Sequence, residues 1–153
     1  MKKASQKINH EWSVLSSSSI VDQDSNNLSL INTIEQIAFD AQLGSGETFN
    51  KEGEVIPFNM VITTRLRKLI PANLSVKGSL KIDFVDPKHS QMGTFSQDFE
   101  MGADIKNIRI RSGIAGLKVT ESGLYHFEIY LKEEDMDYEK IYSLPLEMIL
   151  NIS

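Results

Sequence analysis

The chain has 153 residues and no cysteine, with 16 Lys and Arg against 21 Asp and Glu, a formal charge of −5. Without Cys there is no thiol catalysis, no disulfide framework and no Cys-based zinc site, and an acidic balance argues against holding nucleic acid by overall charge. A chain of this size buries roughly two-thirds of its extended surface on folding, enough for a self-sufficient core in a single domain spanning residues 1–153.

The basic start, Met1-Lys2-Lys3, is followed by Asn9, His10 and Glu11 where a secretory signal would turn apolar, so residues 1–8 read as a frayed start rather than a leader. No window reaches the roughly 18 consecutive apolar residues of a membrane span, which makes the cytoplasm the expected compartment. Trp12, Val14 and Ile20 share a strand parity that Ser16 to Ser19 dilute. The polar run Asp22 to Asn27 is a turn, and Leu28 to Ile37 reads as a second strand. A bulge near Thr33 would put Leu28 and Leu30 on the same face as Ile37 and Phe39. Residues 40–54, with Gly44, Gly46 and Gly53 among polar neighbours, read as a long mobile loop.

Beyond Phe58 the two-residue rhythm is plain. Phe58 to Arg67 places Met60, Ile62 and Leu66 on one face, and Leu74, Val76, Leu80, Ile82 and Phe84 repeat the pattern, with Gly78 marking a close approach or bulge. Thr94 to Met101 turns Phe95, Phe99 and Met101 inward, Ile105 to Arg111 does so with Ile108 and Ile110, and Leu117 to Thr120 is a short separate piece. Tyr125 to Lys132 and Ile141 to Ile152 close the series. Pro145, which lacks a ladder donor, marks the last strand as an edge or as bulged. Short strands punctuated by turns at this spacing predict an all-β fold: a single antiparallel β-sandwich of eight or nine strands, immunoglobulin-like or C2-like.

Glu121-Ser122-Gly123-Leu124-Tyr125-His126-Phe127 has the spacing of the tyrosine corner of immunoglobulin-like sandwiches. Asn27-Leu28-Ser29-Leu30-Ile31, followed by Ile34-Glu35 and much later by Gly123-Leu124-Tyr125-His126-Phe127 and Leu144-Pro145-Leu146, resembles the opening hairpin and ending of an uncharacterised bacterial family of small β-sandwich proteins. The resemblance covers the chain from about Trp12 onward. It implies the fold and a bacterial source, and it brings no catalytic residue with it.

The candidates for chemistry are few. Asp22, Asp24 and Asn26 alternate like the start of an EF-hand loop, but Asn27 and Thr33 stand where that loop needs Gly and Glu. A looser calcium site could add Asp83 and Asp86. His10, His89 and His126 have no metal-binding spacing, and neither a Gly-x-Ser-x-Gly elbow nor a phosphate-cradling Gly-rich loop occurs. The one uneven charge feature is cationic: Arg65 and Arg67, Lys77 and Lys81, and Arg109 and Arg111 each sit on the outward parity of a strand, a basic patch if those strands are neighbours.

The reading that follows is a non-enzymatic cytoplasmic module for protein contact or structure, without a cofactor. Its partner would be another protein or a second copy of itself, with nucleic acid set aside. The alternative is a ligand-binding module that uses its end loops or basic sheet face for calcium, a sugar or a polyanion.

Overall fold

The computed structural model describes residues 6–41 and 54–152. Within them the chain forms nine strands and no helix: β1 Ile8–Val21, β2 Leu28–Thr33, β3 Gln36–Ala41, β4 Glu54–Lys68, β5 Val76–Val85, β6 Gln91–Met101, β7 Asn107–Val119, β8 Gly123–Glu133 and β9 Glu139–Ile152. They build a four-stranded sheet, β2-β1-β4-β7, and a five-stranded sheet, β3-β9-β8-β5-β6. Period-two alternation turns Leu15, Met60, Ile62, Leu66 and Ile110 of the first sheet toward Leu80, Ile82, Phe84, Tyr125, Phe127 and Leu146 of the second, and these side chains form one core. Gly78 is a point of close approach. A Cβ there would lie 2.7 Å from the Lys132 carbonyl oxygen and 2.8 Å from the Phe99 ring, so no larger residue fits.

Several expectations need correcting. The sandwich is not purely antiparallel, because β3 runs parallel to β9, with Ile37 beside Met148. Residues 28–37 do not form one bulged strand either. Asn32 takes a positive φ of 51°, the Ile34 amide still donates to Leu15 of the first sheet, and the Glu35 carbonyl already accepts from Glu147 of the second. The chain therefore changes sheets within two residues. The pieces expected at 105–111 and 117–120 are one strand, β7, whose middle is disguised by Gly113, Ala115 and Gly116. Pro145 lies in β9, between β3 and β8. Because β3 pairs with β9 only from Glu147 onward, no described strand pairs with Pro145 on the side of β9 away from β8, and the missing donor costs no ladder bond among the described residues. Leu74 is an exposed turn residue, serving instead through its carbonyl: the buried Lys68 ammonium donates to the carbonyls of Leu74 and Gly102 at 2.6 and 2.8 Å and ties that loop down.

The expected frayed start overlaps structure. Ile8 is buried at the head of β1, and the Lys7 and Ile8 amides both donate to Glu133 Oε1 at 2.9 and 2.8 Å. Residues 1–5 lie outside the described residues. Of the loop expected at 40–54, Asp40 and Ala41 belong to β3 and Glu54 to β4, and residues 42–53 lie outside the described residues. No helix among the described residues is long and apolar enough to cross a membrane.

Candidate functional site

The six cations expected to form one patch separate into two groups. Strands β4 and β7 are neighbours, and their register sets Arg65 directly opposite Arg109, with Arg111 opposite Thr63 and Arg67 opposite Asn107. These residues alternate with the buried Met60, Ile62, Leu66 and Ile110, so all four arginines stand on the outer face of the four-stranded sheet. Lys77 and Lys81 are on β5 in the other sheet, on the far side of the molecule. There the Lys81 ammonium lies 4.5 and 4.9 Å from the ring centres of Tyr130 and Tyr138 and 3.7 Å from Asp83. The nearby Lys140–Glu128 pair is closed at 2.6 Å, and the hydrogen bond to Glu128 raises the Lys140 pKa.

The four arginines have different surroundings. The Nε atoms of Arg65 and Arg67 each approach a different oxygen of Glu11 at 3.6 Å. Glu11 reaches them because β1 shifts register between His10 and Trp12, which also sets Trp12 opposite Arg65. Arg109 Nη2 donates to the carbonyl and the side-chain oxygen of Asn26, both at 2.8 Å. Arg111 donates through Nε and Nη2 to the hydroxyl and carbonyl of Ser19, both at 2.6 Å. Ser19 and Asn26 belong to the β1–β2 hairpin, whose pairing with β4 ends at Ser16. The hairpin tip therefore leaves the sheet plane and leans over the outer face, which explains why the outward Thr63 and Val61 are only 0 % and 9 % exposed. Arg111 and one nitrogen of Arg109 act as its clamps. Exposed Lys7 and Lys106 flank the other end of the row, next to Ile8 and Asn107. Parity alone could find the arginines. Trp12, Glu11 and Lys7 depend on the β1 bulge and the β1–β4 register, for which the local sequence carries no signal.

The calcium candidates do not converge. Asp22 Oδ1 accepts the amides of Asp24 and Ser25 at 2.9 and 2.8 Å, and these bonds, that of Ser25 foremost, hold its carboxyl below the usual range. Asp86 Oδ1 accepts from the amides of Lys88 and Ser90, and Asp83 accepts from Thr94. Asp22 and Asp24 belong to the hairpin of the first sheet, Asp83 and Asp86 to β5 and its following turn in the second. Among the described residues no three carboxylate or imidazole groups are grouped to hold a metal. The histidines are equally scattered. His89 takes a positive φ in the β5–β6 turn, and His126 faces Pro145. His10 Nε2 lies 2.8 Å from the buried Ser13 hydroxyl, which lies 2.9 Å from that of Thr64. That relay joins β1 to β4, and burial lowers the His10 pKa.

Fold and site together define an all-β, two-sheet protein with an arginine row on one outer face. No family model matches the chain, and no curated protein matches it. Among solved structures it is similar to the Pseudomonas fluorescens alkylpurine DNA glycosylase AlkC bound to DNA containing an abasic site analog, at 17 % identity over 72 % of this chain and with a TM-score of 0.41. The match takes in 27 % of that protein's chain, so this chain spans only about a quarter of it. The expected module for protein contact or structure, with nucleic acid set aside, finds no support in this neighbour, which is a DNA-bound enzyme. A likeness of this size transfers no activity and no ligand.

Proposed function

We propose that the outer face of the four-stranded sheet binds the phosphates of a nucleic-acid strand. The observation that carries the reading is the pairing of Arg65 with Arg109 on adjacent strands. Like charges directly opposite each other in a sheet are destabilising, and among the described residues Glu11 is the carboxylate that lies against the row. A guanidinium presents five N–H donors in a planar fork suited to phosphate. The arginines' contacts occupy Nε on Arg65 and on Arg67, Nη2 on Arg109, and Nε and Nη2 on Arg111. Lys7 and Lys106 extend the cationic strip, and half-buried Trp12 beside Arg65 offers a ring on which a base can stack.

The test is the fluorescence anisotropy of a labelled single-stranded oligonucleotide. Replacing Arg65 and Arg67 together by Ala weakens binding by at least about tenfold, while Lys77→Glu on the opposite face leaves it unchanged. Equal binding by the double variant, or no binding by the native chain at low salt, refutes the reading.

The sandwich itself we read as immunoglobulin-like. Three features support this: β4 and β7 lie in one sheet while β5, β8 and β9 lie in the other, β3 lies along β9, and Tyr125 makes a tyrosine corner at the head of β8.

A further inference from the structure

A second site lies on the flank of the sandwich, away from the arginine row. The edge strands β6 and β7 belong to different sheets and leave a cleft of about 210 Å³ between them. Its floor is Ile82, Phe84 and Phe127, and its walls include Phe95, 40 % exposed although it pairs with inward-facing Ile82. Glycine keeps the cleft open. Gly93 pairs with Phe84, so a side chain there would point inward, and a Cβ on it would meet nothing within 4 Å. Gly113 and Gly116 line the β7 wall.

One group in this apolar cleft has no partner. Ser112 shares its parity with buried Ile110, is 2 % exposed and is one of the residues at the cleft, and its buried Oγ makes no hydrogen bond among the described residues. A buried hydroxyl without a partner costs about 1–3 kcal/mol. The cleft holds more than a benzene ring, which occupies a cavity of about 150 Å³, and less than a drug-sized ligand, which needs about 300 Å³ or more.

We propose that this cleft binds a neutral, single-ring apolar molecule bearing one hydroxyl or carbonyl group, which completes the hydrogen bonding of Ser112. The ring lies against Phe84 and Phe127, and the polar group meets Ser112 Oγ. A ligand of the same shape without that group leaves the hydroxyl orphaned and is discriminated against.

The test pairs p-cresol with toluene, near-isosteres that differ by one hydroxyl. In isothermal titration, p-cresol binds the native chain at least about tenfold more tightly than toluene. In Ser112→Ala the two bind alike, and Gly93→Leu, which fills the cleft, binds neither while keeping the native circular dichroism spectrum. The site is refuted if p-cresol fails to bind, if the native chain does not distinguish the two, or if folded Gly93→Leu still binds p-cresol. Should Gly93→Leu not fold, the Ser112→Ala comparison decides alone. Raising the salt concentration leaves p-cresol binding unchanged, which separates this site from the arginine row.

Discussion

The Tyr125 hydroxyl donates to the Glu121 carbonyl at 2.8 Å and accepts from the Thr120 and Glu121 amides at 3.2 Å. Its buried ring stacks on Phe84, which also stacks on Phe127. Gly123 sits at a φ of +148°, where a Cβ would press within 2.7 Å of the Pro87 ring. Tyr125→Phe keeps the ring and orphans three backbone groups, an expected loss of about 1–3 kcal/mol measurable by urea unfolding. This corner was legible in the sequence because every partner lies within five residues. His10 was not, since its partners are set by the β1–β4 register and by Tyr142, whose ring centre lies 5.0 Å away. With its pKa lowered by burial, folded His10 stays neutral at pH values where the unfolded chain already takes up a proton. Its contribution therefore erodes as pH falls from 6.5 toward the lower folded value. Melting temperature should decline over that window, and His10→Gln should flatten the decline.

At the scale of elements, the β1–β2 hairpin ends its pairing with β4 at Ser16 and is then held by side chains. Arg111 grips Ser19 at two points, so neither Ala nor Lys reproduces it. Arg111→Ala should raise amide hydrogen exchange over residues 17–31 while leaving β5 and β8 protected. Lys in place of Arg should not restore the native rate. The strands with clean alternation, β4, β5 and β8, were visible from sequence to within a few residues. Where small residues interrupt the rhythm the reading broke, as at Gly113 to Gly116 in β7, or continued through a real boundary, as at Ile34 and Glu35. Alternation reports which face is greasy and not which sheet the strand joins. For the same reason parity left open whether Lys77 neighbours Arg65, and it lies in the other sheet.

For the whole molecule, the net charge of −5 and the row of four arginines are compatible because charge is segregated by face. Across the sandwich Lys81 is matched locally by Asp83 and Lys140 by Glu128. Single-strand binding should weaken steeply with salt, with a slope of roughly −0.7 per phosphate contact in log–log form. Removing Arg65, Arg67 or Arg109 should each reduce the slope in magnitude by about 0.7, read from anisotropy titrations between about 50 and 200 mM salt. The composition disclosed the total charge, but its partition required strand order.

That order also carries a consequence for how the molecule is made. β3 follows the first sheet after two residues of connection, yet its hydrogen-bonding neighbour is β9, translated after every other described strand. Throughout synthesis β3 waits, tethered beside a half-built wall, and the second sheet gains that edge strand only when translation has passed Glu147. Pairing so distant in sequence slows closure, and the nascent chain has reason to be shielded until β9 arrives.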